Sequence, residues 1–511
     1  MLSGQALRRR IEIACGGMFF LYGYDAGVLG GVLETPQFLN SLGNPSGKYD
    51  LSMISSSYTL AAFFATPLVM YFGMALGRRK ILLAGCATVV VGAAVQASAT
   101  TMAHIIVGRI ICGFGIGFIS TTVPVYQSEC SVDKDTRGRK TAITCAWLIG
   151  GIPVAYWLDF GMSYVKGSNG VSWRFPIAAQ AIPAIIAGII FLACPDTPRW
   201  YYAVGRSEEG DRTLERIWDR PITDPDVLAE KRGILAAIEL EQNAQHPRLM
   251  DYIYDRTELK TARRLVICFM VNSFQQMMSV NFLVYYATII YRANGVSLTT
   301  AQILGGVQST IFFAGTIPAI WLIDRVGRRG LMMKGAMIMS VIMLVFVTLL
   351  VIPESRKTNA SNWAASGLII FYNFWFGMCW IGAPWQVAPE LAPLELRHVG
   401  AALNACGEWL FSFVTTFASP IALADPKVGA NIWWWFFAFN VLAIPFIYFL
   451  VPETAGKNLE ELDVLYCKDP VVRQRIYQER ASAMAAAEKA ADKRMEGDKH
   501  EDAQYDYAES A

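Results

Sequence analysis

Two carboxylates stand where carboxylates are costly. Asp25 lies inside the apolar stretch GGMFFLYGYDAGVLGG, and Glu408 lies inside AALNACGEWLFSFV. An ionised side chain in such surroundings marks a functional position by default, as a proton carrier, one side of an ion pair or a ligand contact. Asp25 has a candidate partner in Arg109, which also sits within an apolar run. The pair reads either as a fixed buried bridge or as a site where protonation frees the arginine. Glu408 falls roughly 14 Å into a helix that starts near Val399, at 1.5 Å per residue. At that depth it should titrate, pair with an arginine, face a ligand, or stay protonated against a neighbouring carbonyl. Three amides, Gln275, Gln276 and Asn281, both donate and accept, which suits a hydroxyl-rich ligand as well as helix-to-helix bonding. On a straight helix Gln275 and Asn281 are about 600° apart and share no face; a broken or bent helix is needed to aim both inward. No nucleophile–base pair, phosphate-cradling loop or metal-spaced Cys/His set accompanies them, and the ten cysteines are scattered singly. Enzyme chemistry, a metal and an organic cofactor therefore have no residues to stand on.

The elements that must position these groups are membrane spans. Of 511 residues, 54% are hydrophobic and 17% charged, and mean hydropathy is +0.34; soluble chains carry about a quarter charged residues. The net charge of +2 supplies no surface for neutralising nucleic-acid phosphates. Apolar runs of bilayer length fall near 11–31, 51–73, 81–101, 105–127, 142–161 and 176–194, then 263–291, 301–323, 331–352, 365–388, 399–421 and 432–451. Backbone groups must be satisfied within each span in hydrocarbon, so these runs are helices and the fold class is an all-α membrane protein. The first run follows Arg8, Arg9 and Arg10 like a signal peptide, but it outlasts an h-region and is read as a retained helix.

Lysine and arginine in short loops set the orientation. Arg78, Arg79 and Lys80; Lys134, Arg137, Arg139 and Lys140; and Arg325, Arg328, Arg329 and Lys334 share the parity of the N-terminus, which predicts both termini in the cytosol. Asn359-Ala-Ser361 is an N-glycosylation sequon in an outward loop, whereas Asn44-Pro-Ser is excluded by its proline. The chain divides into a six-helix half over 1–194, a polar cytosolic linker with short amphipathic helices over 195–262, a second six-helix half over 263–451 and a charged, Ala-rich tail over 452–511, frayed or disordered beyond about residue 480. Landmarks repeat between the halves in one order. Gly77-Arg-Arg matches Gly327-Arg-Arg, Glu129 matches Glu390, and Pro195-Asp-Thr matches Pro452-Glu-Thr, 250 to 261 residues apart. A duplicated six-helix unit places a ligand site between the halves near the midplane.

Together the landmarks resemble the sugar porter family of the major facilitator superfamily, from the first span to about Asp463. The matching pieces are GYDAGVLGG, GRRK, GRIICGFGIGF with PVYQSE and RGR, PDTPRW, QQMMSVN with YY, DRVGRR, PWQVAPE and PETAGKNLEEL. AYWLDFGMSY and SWRFPIA look most like fungal sugar and polyol transporters. The resemblance implies twelve helices in two six-helix halves, working as a monomer in the plasma membrane. It implies sugar contacts at Gln275, Gln276, Asn281 and Tyr286, with Trp385 and Trp409 stacking on or flanking the sugar. In proton-coupled members the residue matching Asp25 takes the proton and the one matching Arg109 relieves it; fungal facilitators carry the same aspartate. It further implies a cytosolic gate in which Arg78, Arg79, Arg328 and Arg329 pair with Glu129 and Glu390, completed by Arg137, Arg397, Asp324 and Arg325.

Four departures alter that pattern. Cys145, Phe312 and Glu408 replace polar sugar contacts, and Met74-Ala75 stands where the second repeat has Asp324-Arg325. The missing acid predicts a weaker first latch and a less occupied outward-facing state. Two transport functions remain open, a sugar or polyol carrier with or without H+ and a diverged carrier of a sugar acid or secondary metabolite. The third candidate is a nutrient sensor that does not transport, against which stands a short tail.

Overall fold

The computed structural model describes residues 2–44, 47, 49–132, 137–165, 170–243, 260–352, 358–393 and 396–455, with short helical pieces between 474 and 490. The first six spans are α1 (Gly4–Val32), followed by a short α2 (Pro36–Ser41), then α3 (Asp50–Leu76), α4 (Arg78–Ala97), α5 (Met102–Glu129), α6 (Arg137–Ser163), and a sixth shared by α7 (Val171–Ala179) and α8 (Ala181–Leu192). Three short helices follow, α9 (Pro198–Ala203), α10 (Ser207–Trp218) and α11 (Pro225–Asn243). The seventh span is divided among α12 (Thr261–Met277), α13 (Val280–Tyr285) and α14 (Ala287–Ala293). Then come α15 (Leu298–Val326), α16 (Arg328–Val351), a tenth span of α17 (Asn359–Cys379) and α18 (Ala383–Leu391), α19 (Arg397–Ala424) and α20 (Ile432–Leu450). Eleven spans among the described residues are long and apolar enough to cross a bilayer, and the 28-residue α19 takes the remaining place.

An even number of spans returns the bundle to the face where α1 begins. That face carries Arg78, Arg79, Lys140, Arg328 and Arg329 at its helix ends and is called the basic face below. Within the first half α1 packs on α6, and across the halves the long seams are α6 with α15 and α3 with α19. The α1–α6 approach needs glycine: a Cβ on Gly23 would run into the Leu148 carbonyl. Outward-facing Phe64, Ile186, Trp321 and Phe449 are exposed, as lipid-facing positions should be.

Two spans are broken where the sequence shows only long apolar runs. The seventh, a single apolar run over 263–291 that must bend or break for Gln275 and Asn281 to share an aim, turns at Ser279, whose φ of 82° is left-handed. The tenth breaks between Cys379 and Ala383. Broken backbone in a membrane is tolerated when protein satisfies it. Tyr372 donates to Met278 O at the first break, and Gln275 Nε2 donates to Trp380 O at 2.6 Å at the second. Between the halves, Tyr202, Leu214, Val227, Leu235 and Ile238 form a small separate core.

Candidate functional site

The break in the seventh span brings the three amides together. Gln276 Nε2 donates to Gln275 Oε1 at 3.0 Å, Asn281 Nδ2 donates to Gln276 Oε1 at 2.7 Å, and Asn281 also reaches Ser412 Oγ on α19. A straight helix would set Gln275 and Asn281 on different faces; the left-handed Ser279 re-aims them. Tyr286 spends its hydroxyl on Thr416 O at 2.9 Å, so it ties α13 to α19.

Glu408 and Trp409 carry α19 into the first half. The Tyr22 hydroxyl of α1 donates to Glu408 Oε1 at 2.8 Å, and Asn272 Nδ2 donates to Glu408 Oε2 at 3.3 Å. The carboxyl is thus held by two neutral donors rather than by an arginine. Trp409 Nε1 donates to Ser120 Oγ of α5 at 3.1 Å, and its ring lies 5.1 Å from Tyr22 and 5.9 Å from Tyr58. Trp385 meets Phe19 of α1 edge-on at 6.3 Å. Glu408 is 4% exposed and Trp409 1%, so this centre is shut off from bulk water. Of the departures from the family pattern, Cys145 is buried and Phe312 stacks edge-on against Phe376.

Asp25 accepts from Arg109 Nη1 at 2.9 Å, and both side chains are fully buried. The guanidinium carbon sits 4.3 Å over the Tyr58 ring, where a desolvated cation gains from the ring's negative face. Tyr58 touches Trp409 on its other side. One run of contacts therefore joins the ion pair of the first half to the carboxyl of the second: Asp25, Arg109, Tyr58, Trp409, Tyr22, Glu408.

At the basic face the two G-R-R turns are superimposable in backbone angle, with φ 85° and ψ 155° at Gly77 and φ 85° and ψ 154° at Gly327. Each turn starts a helix whose first N–H groups lack intrahelical partners. Asp196 accepts from Arg78 N and Arg79 N at 3.2 Å each, and Glu453 accepts from Arg328 N at 3.0 Å and Gly330 N at 3.3 Å. Burial pushes the Asp196 carboxyl above the usual range, while its backbone donors and Arg78 pull it back. Arg78 pairs with Glu129 at 3.0 Å, and Arg328 with Glu390 at 3.5 Å and Asp324 at 3.3 Å.

Arg79 and Arg329 differ from expectation. They donate to the carbonyls of Leu192 and Tyr448, because the second arginine of each turn lies over a neighbouring helix end rather than over the acid. Arg325 is exposed. The side chains of Arg137 and Arg397 lie outside the described residues. Asn359 is exposed at the start of α17, where Thr358 and Ser361 form a capping box.

The sequence reading missed Tyr22, Tyr58, Ser120, Asn272 and Ser412, along with the capping roles of Asp196 and Glu453. Tyr22 had a signal, since it precedes Asp25 by three positions and so shares its face. Asp196 and Glu453 were visible as repeated Pro-acid-Thr landmarks without a partner. Asn272, Ser120 and Ser412 had no local signal, being single polar residues in apolar runs.

Residues 11–466 match the family model described as sugar (and other) transporter. The chain belongs to that family. Among its relatives is the sugar transporter STL1 of Saccharomyces cerevisiae, 31% identical over 480 residues covering 91% of this chain and 82% of the relative. Another is the quinate permease of Neurospora terricola, 30% identical over 475 residues covering 88% and 87%. The fold matches the proton:xylose symporter XylE bound to 6-bromo-6-deoxy-D-glucose, with a TM-score of 0.77 at 22% identity over 91% of this chain and all of that one. This sugar transporter family member is a multi-pass membrane protein of the major facilitator fold, and the two relatives named above are carriers rather than enzymes.

Proposed function

We propose that this transporter moves a neutral polyhydroxylated solute, a sugar or polyol, by alternating access. Gln275, Gln276, Asn281, Glu408, Trp385 and Trp409 face the solute, and Tyr286 holds α13 against α19. The observation that carries this reading is the convergence of three amides and one carboxyl where the halves meet. Amides and a carboxylate together accept from and donate to hydroxyls, and indole faces suit the apolar faces of a sugar ring. The pairs at the basic face, Arg78–Glu129, Arg328–Glu390 and Asp324–Arg328, act as latches that open in each cycle; all their side chains but Asp324 are largely buried, so opening returns the charges to water and the regained hydration offsets the lost attraction.

Asp25 is the site of proton coupling: a proton taken there weakens its hold on Arg109, and Tyr58 relays the shift to Trp409. The basic face is cytosolic, in the plasma membrane, and the protein works as a monomer. Both chain ends, the linker helices and the tail then lie inside the cell, and Asn359 outside.

Uptake of a labelled panel in yeast lacking its own hexose carriers, with and without a protonophore, tests this. The expected result is saturable uptake of at least one neutral sugar or polyol, reduced by the protonophore. Uptake of none removes the reading. A second reading, an anionic sugar acid as cargo, is favoured by the quinate permease relative and opposed by Glu408, which is held by neutral donors and offers an anion no counter-charge; quinate belongs in the panel, and its exclusive uptake would decide for that reading.

A further inference from the structure

Opposite the basic face the halves meet through a different kind of contact. Thr288 Oγ1 of α14 donates to Gly30 O of α1 at 2.7 Å, Gln302 Nε2 of α15 donates to Gly31 O at 3.4 Å, and Tyr156 of α6 donates to Val284 O of α13. No latch here is an ion pair except Glu34–Arg292, at 3.6 Å on the rim, among the described residues. Sealed behind these contacts is Asp159 of α6, 3% exposed, with neither carboxyl oxygen hydrogen-bonded. It packs directly on α1: a Cβ built on Gly31 would lie 2.5 Å from Asp159 Oδ2.

Among the described residues, the groups around Asp159 are committed elsewhere. Tyr24 of α1 and Tyr156 of α6 donate their only phenol protons to Pro176 O and Val284 O. On α7, Arg174 donates to Ala97 O and Ala99 O. On α14, Tyr291 donates to Gln308 and Arg292 faces Glu34. From α15, the Gln302 amide goes to Gly31 O. An ionised carboxylate with no partner at this depth is a cost the closed form avoids by holding the neutral acid. Once α13, α14 and α15 swing away with the second half, water reaches Asp159 and the charge is no longer penalised.

We propose that Asp159 is a proton-binding site that gates the face opposite the basic one. Its carboxylate takes one proton from water on that side as the face closes and returns it to the same side on opening. The proton is not carried across the membrane, which separates this site from Asp25. The linkage has a definite sign and size: the closed form holds one proton more than the open form, so raising pH favours opening. The closed-to-open ratio changes about tenfold per pH unit wherever the two forms differ by that whole proton.

The inference uses the alternating-access reading for the existence of an open form, and the test separates the two. Spin labels at Gly161→Cys and Thr299→Cys, both exposed at this face on opposite halves, report its opening by pulsed electron resonance from pH 5 to 8 in the full-length protein. The expected result is a long-distance population that grows with pH in the parent and is small and pH-independent in Asp159→Asn. Glu34→Gln controls for the carboxyl that pairs with Arg292 at this face, whose titration burial raises and Arg292 lowers; it should keep the response. A response that persists in Asp159→Asn, or vanishes in Glu34→Gln instead, overturns the proposal, as does a pH-independent mixture in the parent. A single short distance at every pH in all variants overturns the proposal and alternating access together. Asp159→Ser, which also lacks a titrating group, provides the same comparison if the asparagine variant fails to assemble.

Discussion

The two halves share a backbone plan and place their charges differently. Both turn at a glycine with φ 85°, both offer an acid to the first amides of the next helix, and both pair the first arginine of that helix with the acid near the end of the following span. In the middle they part. The first half buries a full ion pair, Asp25 with Arg109; the second buries one carboxyl, Glu408, between a tyrosine and an asparagine. At the rim the order reverses, since the second half has Asp324 beside Arg328 at 3.3 Å and the first has Met74, whose sulfur lies 3.0 Å from Arg78 Nη1. Duplication kept what the backbone requires. Charge diverged, and under the proposed function so did the work of each half: the first holds or releases a charge, and the second reads a solute.

The largest way to break this contrast is to strip the first half of its cation. Arg109→Leu leaves Asp25 buried without a partner, and removing one member of a buried pair costs about 3–5 kcal/mol. Thermal unfolding of the purified protein should show that loss, and Asp25→Asn with Arg109→Leu should recover part of it; equal stability of the single and double variants would mean the pair is not a unit. The shared backbone predicts a symmetric effect. Gly77→Ala and Gly327→Ala each force a Cβ into a glycine conformation and against Asp196 or Glu453, so each should cost about 1–3 kcal/mol, and a large difference between them would show that the turns are not equivalent.

How much of this was legible in the sequence follows the same division. The spans, the duplication, the Asp25–Arg109 partnership and the acids opposite Arg78 and Arg328 could be read, because apolar length and repeated landmarks are local signals. The break in the seventh span was legible only as a condition for aiming Gln275 and Asn281 inward together, and neither its position nor the break in the tenth span could be read. Met278-Ser279 carries neither glycine nor proline, and the turn there is imposed by packing against Tyr372 and α19. The donors to Glu408 were hidden for a related reason: they lie on α1 and α12, 386 and 136 residues away, and only tertiary packing selects them. Arg79 and Arg329 were assigned to the wrong acceptors because a two-arginine motif does not say which arginine faces the acid.

Smaller changes sharpen the contrast. Tyr22→Phe removes the shorter donor to Glu408 and should weaken solute binding about tenfold, the equivalent of roughly 1.4 kcal/mol. Glu408→Gln keeps an acceptor for Tyr22, so neutral solutes should bind within about threefold of the parent. Calorimetry on both variants checks this pair, and a larger loss in Glu408→Gln than in Tyr22→Phe would require the charge itself for binding. Smallest is restoring the rim: Met74→Asp with Ala75→Arg adds a charge next to the start of α4, worth about 0.3–1 kcal/mol. It should shift the population modestly toward the form closed at the basic face, seen as slower labelling of a cysteine placed there; unchanged labelling would mean that Arg78–Glu129 alone sets the first latch.

The central claim is that solute and proton move together because Asp25 and the central site are one contact network. Proteoliposomes holding the purified protein, given an inward pH gradient and a solute accepted in whole-cell uptake, measure it directly. The parent should concentrate the solute above its external level, while Asp25→Asn should exchange labelled for unlabelled solute and accumulate none. Undiminished accumulation by Asp25→Asn would contradict the account.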